Sequence, residues 1–227
     1  MASGEMSIAE FTGFLTTVFT HLAAFSADGA IHFQCMDWRH MGEMLRAGKT
    51  AYSELKNLCV WSKTNGGMGS LYRSQHELVF VFKAGTAMHI NNVELGRHGR
   101  YRTNVWSYAG VNSFGTNQAD LALHPTVKPV ALVRDALLDC SLRKGIVLDA
   151  FAGSGTTLIA AEQTGRRGYG IEIDPIYCDV ILRRMKQICG LEARLGGGGT
   201  SFDEVADLRA AEAQETVTPD TSLGVFA

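Results

Sequence analysis

Apolar residues recur at Ile8, Phe11, Leu15, Val18, Phe19 and Leu22. Spacings of three and four put them on one face of a helix, so the pattern predicts a helix over residues 7–25. Ser26-Ala27-Asp28-Gly29 ends it, and Ala30-Ile31-His32-Phe33 reads as a short buried strand. Residues 38–46 read as a second helix stopped at Gly48. Leu58-Cys59-Val60-Trp61 and Leu78-Val79-Phe80-Val81-Phe82 are strand-like runs joined through Asn65-Gly66-Gly67-Met68-Gly69. Two such runs with a long loop predict an antiparallel hairpin at the edge of a sheet.

The second half changes rhythm. Residues 83–123 are loop-like and rich in Asn, Gly and Arg. A helix is then expected over 130–142, a buried strand at Ile146-Val147-Leu148, and a helix over 156–163. A further strand follows at Tyr169-Gly170-Ile171-Glu172-Ile173, with a helix over 175–188. Strand and helix in alternation predict an α/β fold with a parallel sheet and right-handed crossovers. Glycines at 196–199 read as a hinge, and residues 191–227 as a flexible Gly-rich, then acidic tail. No internal repeat is found.

Composition adds limits. With 46% hydrophobic and 19% charged residues among 227, one ordinary domain is expected, over residues 1–190. The net charge of -2 means that a nucleic-acid contact must come from a local basic patch. Five cysteines, none spaced C-x-x-C, argue for thiols in a reducing compartment over a disulfide framework or zinc site. The apolar stretch near residues 11–25 is broken by Thr, His and Gly, so no membrane span is expected and the cytoplasm is the expected location.

The strongest chemical signal is Asp149-Ala150-Phe151-Ala152-Gly153-Ser154-Gly155-Thr156-Thr157, directly after a predicted strand. Glycines at a strand-to-helix turn permit tight geometry and close ligand approach. Glu172 lies 19 residues beyond Gly153, the distance at which such folds carry a ribose-binding carboxylate. Alone this points to a nucleoside cofactor, with a plain turn permitted by the glycines as the lesser alternative. A nicotinamide cofactor is disfavoured because position 158 of the G-x-G-x-x-G pattern is Leu, and no G-x-x-x-x-G-K-[ST] phosphate loop is present.

His124-Pro125-Thr126-Val127-Lys128-Pro129 precedes the helix leading into that strand, and Gly170-Ile171-Glu172-Ile173-Asp174-Pro175-Ile176-Tyr177 closes the next one. H-P-T-x-K-P, then D-x-F-x-G-S-G-T-T, then G-I-E-x-D-P-x-Y resembles the cofactor-binding half of the beta-group DNA amino-methyltransferases, which use S-adenosylmethionine (SAM). Trp61 with Lys63, Tyr72-Arg73, His76-Glu77 and Asn104-Val105-Trp106 resemble weaker family motifs around the hairpin and after the DNA-recognition loops.

The resemblance implies a Rossmann-like SAM-methyltransferase sheet with an antiparallel edge hairpin. It implies that Phe151 packs on SAM and that Asp149, Gly153 and Gly155 hold its methionine portion. Glu172 takes the ribose hydroxyls, Asp174 lies near the adenine ring, and Thr126 and Lys128 help close the pocket. It implies double-stranded DNA as partner, methylated in the manner of restriction–modification enzymes, and is compatible with a homodimer. Residues 83–123 become the expected DNA-recognition loops. Arg97, Arg100 and Arg102 are the expected DNA contacts, able to neutralise phosphates or read guanine edges.

The family grips its flipped base with D-P-P-Y or a close variant. The four prolines here are Pro125, Pro129, Pro175 and Pro219, none followed by another, so no catalytic residue is assigned. The resemblance places the catalytic strand ahead of residue 7 in chain order, and between the strands at Ile146 and Ile31 in the sheet. The chain is therefore expected to be N-terminally incomplete, to lack that central strand, and either to fold poorly or to close the gap by rearranging. The leading expectation is a DNA methyltransferase fragment acting on an exocyclic base amine, adenine N6 ahead of cytosine N4. A non-catalytic SAM- or DNA-binding remnant is the alternative, and a nicotinamide oxidoreductase the third.

Overall fold

The computed structural model describes residues 6–67, 69, 71–97, 101–110, 127–196 and 199–215. Helix α1 spans Ile8–Ala24 and begins in a capping box: the Glu10 N–H donates to the Ser7 hydroxyl while Glu10 accepts from the Ser7 N–H. Strand β1 (Ile31–Met36) follows, then a 3-10 turn at Trp38–His40 and α2 (Met41–Ala51). Strands β2 (Glu54–Ser62) and β3 (His76–Lys83) form the expected hairpin.

The order β1-β3-β2-β4 makes a four-stranded sheet, antiparallel except where β4 (Val105–Ser107) runs alongside β2. The hairpin thus fills the two middle positions of the sheet, and three residues from the predicted loop region border its outer strand. Asn104 explains that addition: its carbonyl accepts from the Val60 N–H at 2.7 Å, and its side-chain amide donates to the Leu58 carbonyl.

The run at β3 is buried on both faces. Leu78, Phe80 and Phe82 pack with Leu15 and Phe19 of α1 and Met44 and Ala47 of α2. Val79 and Val81 join Cys59, Trp61 and Trp106 under Leu132 and Ala136 of α3 (Val130–Cys140). An alternating strand buries one face; this continuous apolar strand needs a layer on each.

Gly48 does not stop α2. It is a buried residue inside the helix, and a Cβ there would come within 2.2 Å of the Phe82 ring. Close helix–sheet approach, not termination, requires the glycine.

The second unit alternates as predicted: β5 (Ile146–Asp149), α4 (Thr156–Gln163), β6 (Arg167–Gly170) and α5 (Pro175–Cys189). β5 and β6 pair in parallel as a separate two-stranded sheet. β6 starts and ends earlier than expected, so Glu172 lies just beyond it, where the chain turns toward the Asp174 cap of α5.

Helix α3 ties the two units together. Leu132 and Ala136 face the first sheet, while Leu137 packs on Ala160 and Ala161 of α4. Among the described residues, β1 and β5 each keep one ladder edge without a strand partner.

The tail differs from expectation. Residues Phe202–Glu215 form α6, which Ser201 and Glu204 start with mutual capping bonds. The Arg183 guanidinium covers the Phe202 ring at 5.6 Å, and Lys186 pairs with Asp203. A capping signature and two contacts to α5 order what composition alone presents as a linker. No helix among the described residues is long and apolar enough to cross a membrane.

A hydrogen-bond chain runs beneath α1. Gln34 donates to the Tyr52 hydroxyl at 3.2 Å, which sits 3.0 Å from His32 Nδ1; His32 Nε2 is 2.9 Å from the Ser26 hydroxyl, which donates to the Leu22 carbonyl. Because the Ser26 hydroxyl donates to Leu22, His32 Nε2 carries a proton, and a neutral ring lets Nδ1 accept from the Tyr52 hydroxyl. Burial pulls the His32 pKa down to about 4.

Two predictions follow from this packing. Above about pH 6.5 His32 is neutral in folded and unfolded chains alike. As the pH falls from there toward about 4, the unfolded chain takes up the proton first and stability is lost. His32→Gln should flatten that part of the stability–pH curve, and an unchanged slope would contradict the assignment. Gly48→Ala should lower the melting temperature, because overpacking costs about 1–3 kcal/mol against about 1 kcal/mol of gained helix propensity. A raised melting temperature would mean that Phe82 moves aside freely.

Candidate functional site

The turn after β5 is built from its own carboxylates. Asp149 accepts from the Phe151 N–H at 3.0 Å and from the Thr157 hydroxyl at 2.6 Å, closing the turn onto the first residues of α4. The Asp149 carbonyl accepts from the Ile171 N–H, and the Ala152 N–H donates to the Ile171 carbonyl, joining the two strand ends. Gly153 and Gly155 take positive φ of 52° and 78°, conformations that only glycine adopts without strain.

Glu172 reaches back across this junction. It accepts from the Gly153 N–H at 2.7 Å and from the N–H groups of Ile173 and Asp174 at 2.9 and 3.0 Å. Asp174 caps α5 by accepting from the Ile176 N–H at 2.8 Å. Asp149, Gly153, Gly155, Glu172 and Asp174 are therefore gathered at the carboxyl ends of two parallel strands, where ligands bind in open α/β sheets. Phe151 is exposed beside them and Ile173 is 96% exposed, so apolar surface flanks the carboxylates.

Sequence reasoning missed Arg184. It is 3% exposed on the buried face of α5, and its guanidinium donates to the Ser154 carbonyl at 2.5 Å, fixing the loop from below. A cation among Val180 and Ile181 on an otherwise apolar helix face was the available signal.

Lys128 stands at the seam between the units. Its ammonium lies 3.1 Å from one oxygen of Glu77, whose other oxygen is 3.3 Å from Lys63. Lys63 also lies 4.4 Å over the Trp61 ring. The Lys128 carbonyl accepts from the Thr156 hydroxyl at the start of α4. The W-x-K and H-E pairs of the hairpin are thus joined through one carboxylate to the segment that precedes α3. Burial opposes the Lys128 charge, but the Cys35 sulfur and the Glu77 and Asp149 carboxylates outweigh it and raise its pKa. The Cys35 thiol is itself pushed up by burial to about 11, so near neutral pH the carboxylates hold the ammonium.

The expected DNA contacts separate. Arg97 is exposed, its N–H turned back onto the Glu94 carbonyl. Arg100 and Thr126 lie outside the described residues, as do all of residues 111–123. Arg102 is held within the fold. It donates to Asp139 at 2.9 Å and to the Tyr108 hydroxyl, lies 5.4 Å from the Trp106 ring, and faces Asp135, to which Tyr108 donates at 2.6 Å. Two acids on α3 draw this guanidinium inward, so it pins the 101–110 segment to α3. A cleft of about 420 Å³ beside it is lined by Ile31, Asn57 and Asn104, toward the sheet end opposite the glycine turn.

Several known proteins are similar to this chain. The family model described as DNA methylase, for N6 and N4 methyltransferases, matches residues 2–183. The Type II methyltransferase M.ScaI of Streptomyces caespitosus is 35% identical over 89 residues, 39% of this chain and 29% of that protein. The DNA adenine methyltransferase YhdJ of Escherichia coli (strain K12) is 40% identical over 88 residues, again 39% and 29%. The chain thus spans less than a third of the length of either relative. The solved M1.HpyAVI–SAM complex superposes with a TM-score of 0.63 at 20% identity, covering 76% of this chain and 82% of that one. That likeness shows a shared fold.

Glu77→Gln should destabilise the chain by about 1–2 kcal/mol, a partly solvent-screened charge-assisted pair being lost on each side. Urea unfolding measures this, and a double-mutant cycle with Lys128→Met should show coupling. Additive effects would mean that Glu77 does not join the two units.

Proposed function

The chain belongs to the DNA methylase family of N6/N4 methyltransferases, and from that premise we propose that it is the cofactor-binding and DNA-recognition part of a site-specific DNA methyltransferase acting with SAM on double-stranded DNA in the cytoplasm. The observation that carries this reading is the convergence of Asp149 and Glu172 on the glycine turn, beside exposed Phe151 and Ile173. The residues fit the group: a positively charged sulfonium with an apolar base and a ribose suits carboxylates set in an apolar rim. When bound, SAM supplies a methyl group activated by its positively charged sulfur.

The chain's own residues orient and enclose. Glu172 is assigned the ribose hydroxyls, Asp174 the neighbourhood of the adenine ring, and Phe151 a packing face. Gly153 and Gly155 let backbone approach the methionine portion, held in shape by Asp149. The unpaired N–H groups at the start of α4 favour its carboxylate. Thr126 and Lys128 close the pocket, and Lys128 does so from the ion-paired seam. Arg97 and Arg100 are assigned to DNA. Holding two reactants in line is the main source of acceleration in such a transfer.

The target we favour is adenine N6 over cytosine N4, supported by the name of YhdJ. A second reading, a SAM- or DNA-binding remnant that transfers nothing, is favoured by one observation: no two of the four prolines are adjacent, so the 227 residues hold no P-P-Y.

Labelled SAM and mixed-sequence duplex DNA separate these readings. Saturable SAM binding that weakens at least tenfold in Glu172→Gln is expected. Absence of SAM binding in a folded sample would overturn the cofactor assignment. Label on adenine would support the enzyme reading, and label on cytosine would reverse the base preference. SAM binding without transfer would select the second reading.

A further inference from the structure

The loop between β2 and β3 is closed on itself. The Lys63 N–H donates to the Gln75 carbonyl at 2.9 Å and the Gln75 side-chain amide returns a bond to the Lys63 carbonyl at 2.8 Å. The Gly67 N–H donates to the Ser74 carbonyl at 2.7 Å. Arg73 folds back and donates to the carbonyls of Gly66 and Gly67 at 2.5 and 3.0 Å. Gly69 packs so tightly that a Cβ would meet the Tyr72 carbonyl oxygen at 2.3 Å.

This internally tied loop turns Leu71 and Tyr72 outward, 84% and 86% exposed. Ordering an aromatic and an aliphatic side chain in water stabilises nothing in the fold, so the pair calls for a partner. Its position narrows the choice. The loop leaves the sheet where Ser62 faces His76, next to Glu77. From there the ion pair to Lys128 and the bond from Thr156 lead to the glycine turn. Leu71 and Tyr72 therefore stand at the cofactor end of the sheet. Residues 63–75 carry Lys63 and Arg73 and no Asp or Glu, in a chain whose net charge is -2. With Lys63 paired to Glu77, Arg73 is the loop's remaining cation, and an acid-free loop with an aromatic tip suits a polyanion with stacked bases.

Resting on the DNA-methyltransferase reading, we propose that Leu71 and Tyr72 form a wedge that enters duplex DNA beside the displaced base. The Tyr72 ring takes the stacking place the base vacates, and Leu71 fills the step next to it. Apolar and aromatic wedges of this kind offset the cost of unstacking. The role is one of positioning, since neither side chain touches the transferred group.

The test is equilibrium binding of the full chain to a mixed-sequence duplex, intact or with one central mismatch, at fixed salt. A mismatch lowers the unstacking cost in advance, so a wedge protein prefers it. The wild-type chain should bind the mismatched duplex about tenfold more tightly, within the range of one aromatic–base stack. Tyr72→Ala and Leu71→Ala, both at exposed positions and checked for unchanged circular dichroism, should lose most of that preference. Tyr72→Phe should keep it, because stacking needs the ring and not the hydroxyl. Equal binding of both duplexes by the wild type, or a preference intact in the alanine variants, overturns the wedge and leaves the DNA reading standing. Absence of binding to either duplex overturns both.

Discussion

Every backbone N–H and C=O that leaves water must find a partner, and among the described residues the two sheets leave the outer edges of β1, β4, β5 and β6 without a strand. β3 satisfies one side of β1, and β6 one side of β5; the remaining edges of β1 and β5 carry no strand among the described residues. The molecule is consequently two half-sheets and not one. What spans them is side-chain chemistry: helix α3 packed on both, the Lys63–Glu77–Lys128 chain, and the Phe14 ring 6.2 Å from Phe151. The glycine turn belongs to one half and the hairpin loop to the other, so these links decide how the two face each other.

Within the smaller half the same accounting fixes the geometry of the glycine turn. Glu172 accepts three backbone N–H groups, and Asp149 takes one N–H and one hydroxyl. A carboxylate has about four acceptor positions, so Glu172 keeps room for about one further donor. Its orientation is set in advance by the backbone, a preorganisation that lowers the cost of binding. Arg184 completes the frame from beneath, a buried cation answered by a loop carbonyl.

Much of this architecture was legible in the residues. The three-and-four spacing of α1, the apolar run of β3 and the strand–turn–helix order around Asp149 each carry one periodic signal that tertiary structure does not override. Three positions misled for physical reasons. Gly48 reads as a stop because glycine weakens helices, yet it is kept for the Phe82 ring. Arg102 reads as a free cation because Asp135 and Asp139 are remote in sequence and adjacent only after α3 docks. The tail reads as a linker because its glycines hide the Ser201–Glu204 cap that follows them. The residues gathered at the glycine turn were marked by a local motif. The ion-pair seam was only half visible, as separate W-x-K, H-E and K-P pairs whose union requires the fold.

Hydrogen–deuterium exchange resolved along the chain tests the two-half-sheet account most directly. The account predicts amides of β3 among the most protected, with the outward-facing amides of β1 and β5 exchanging faster by orders of magnitude, as unpaired edges must. Protection of those β1 and β5 amides matching that of β3 would mean that something already pairs with both edges, and would contradict the account.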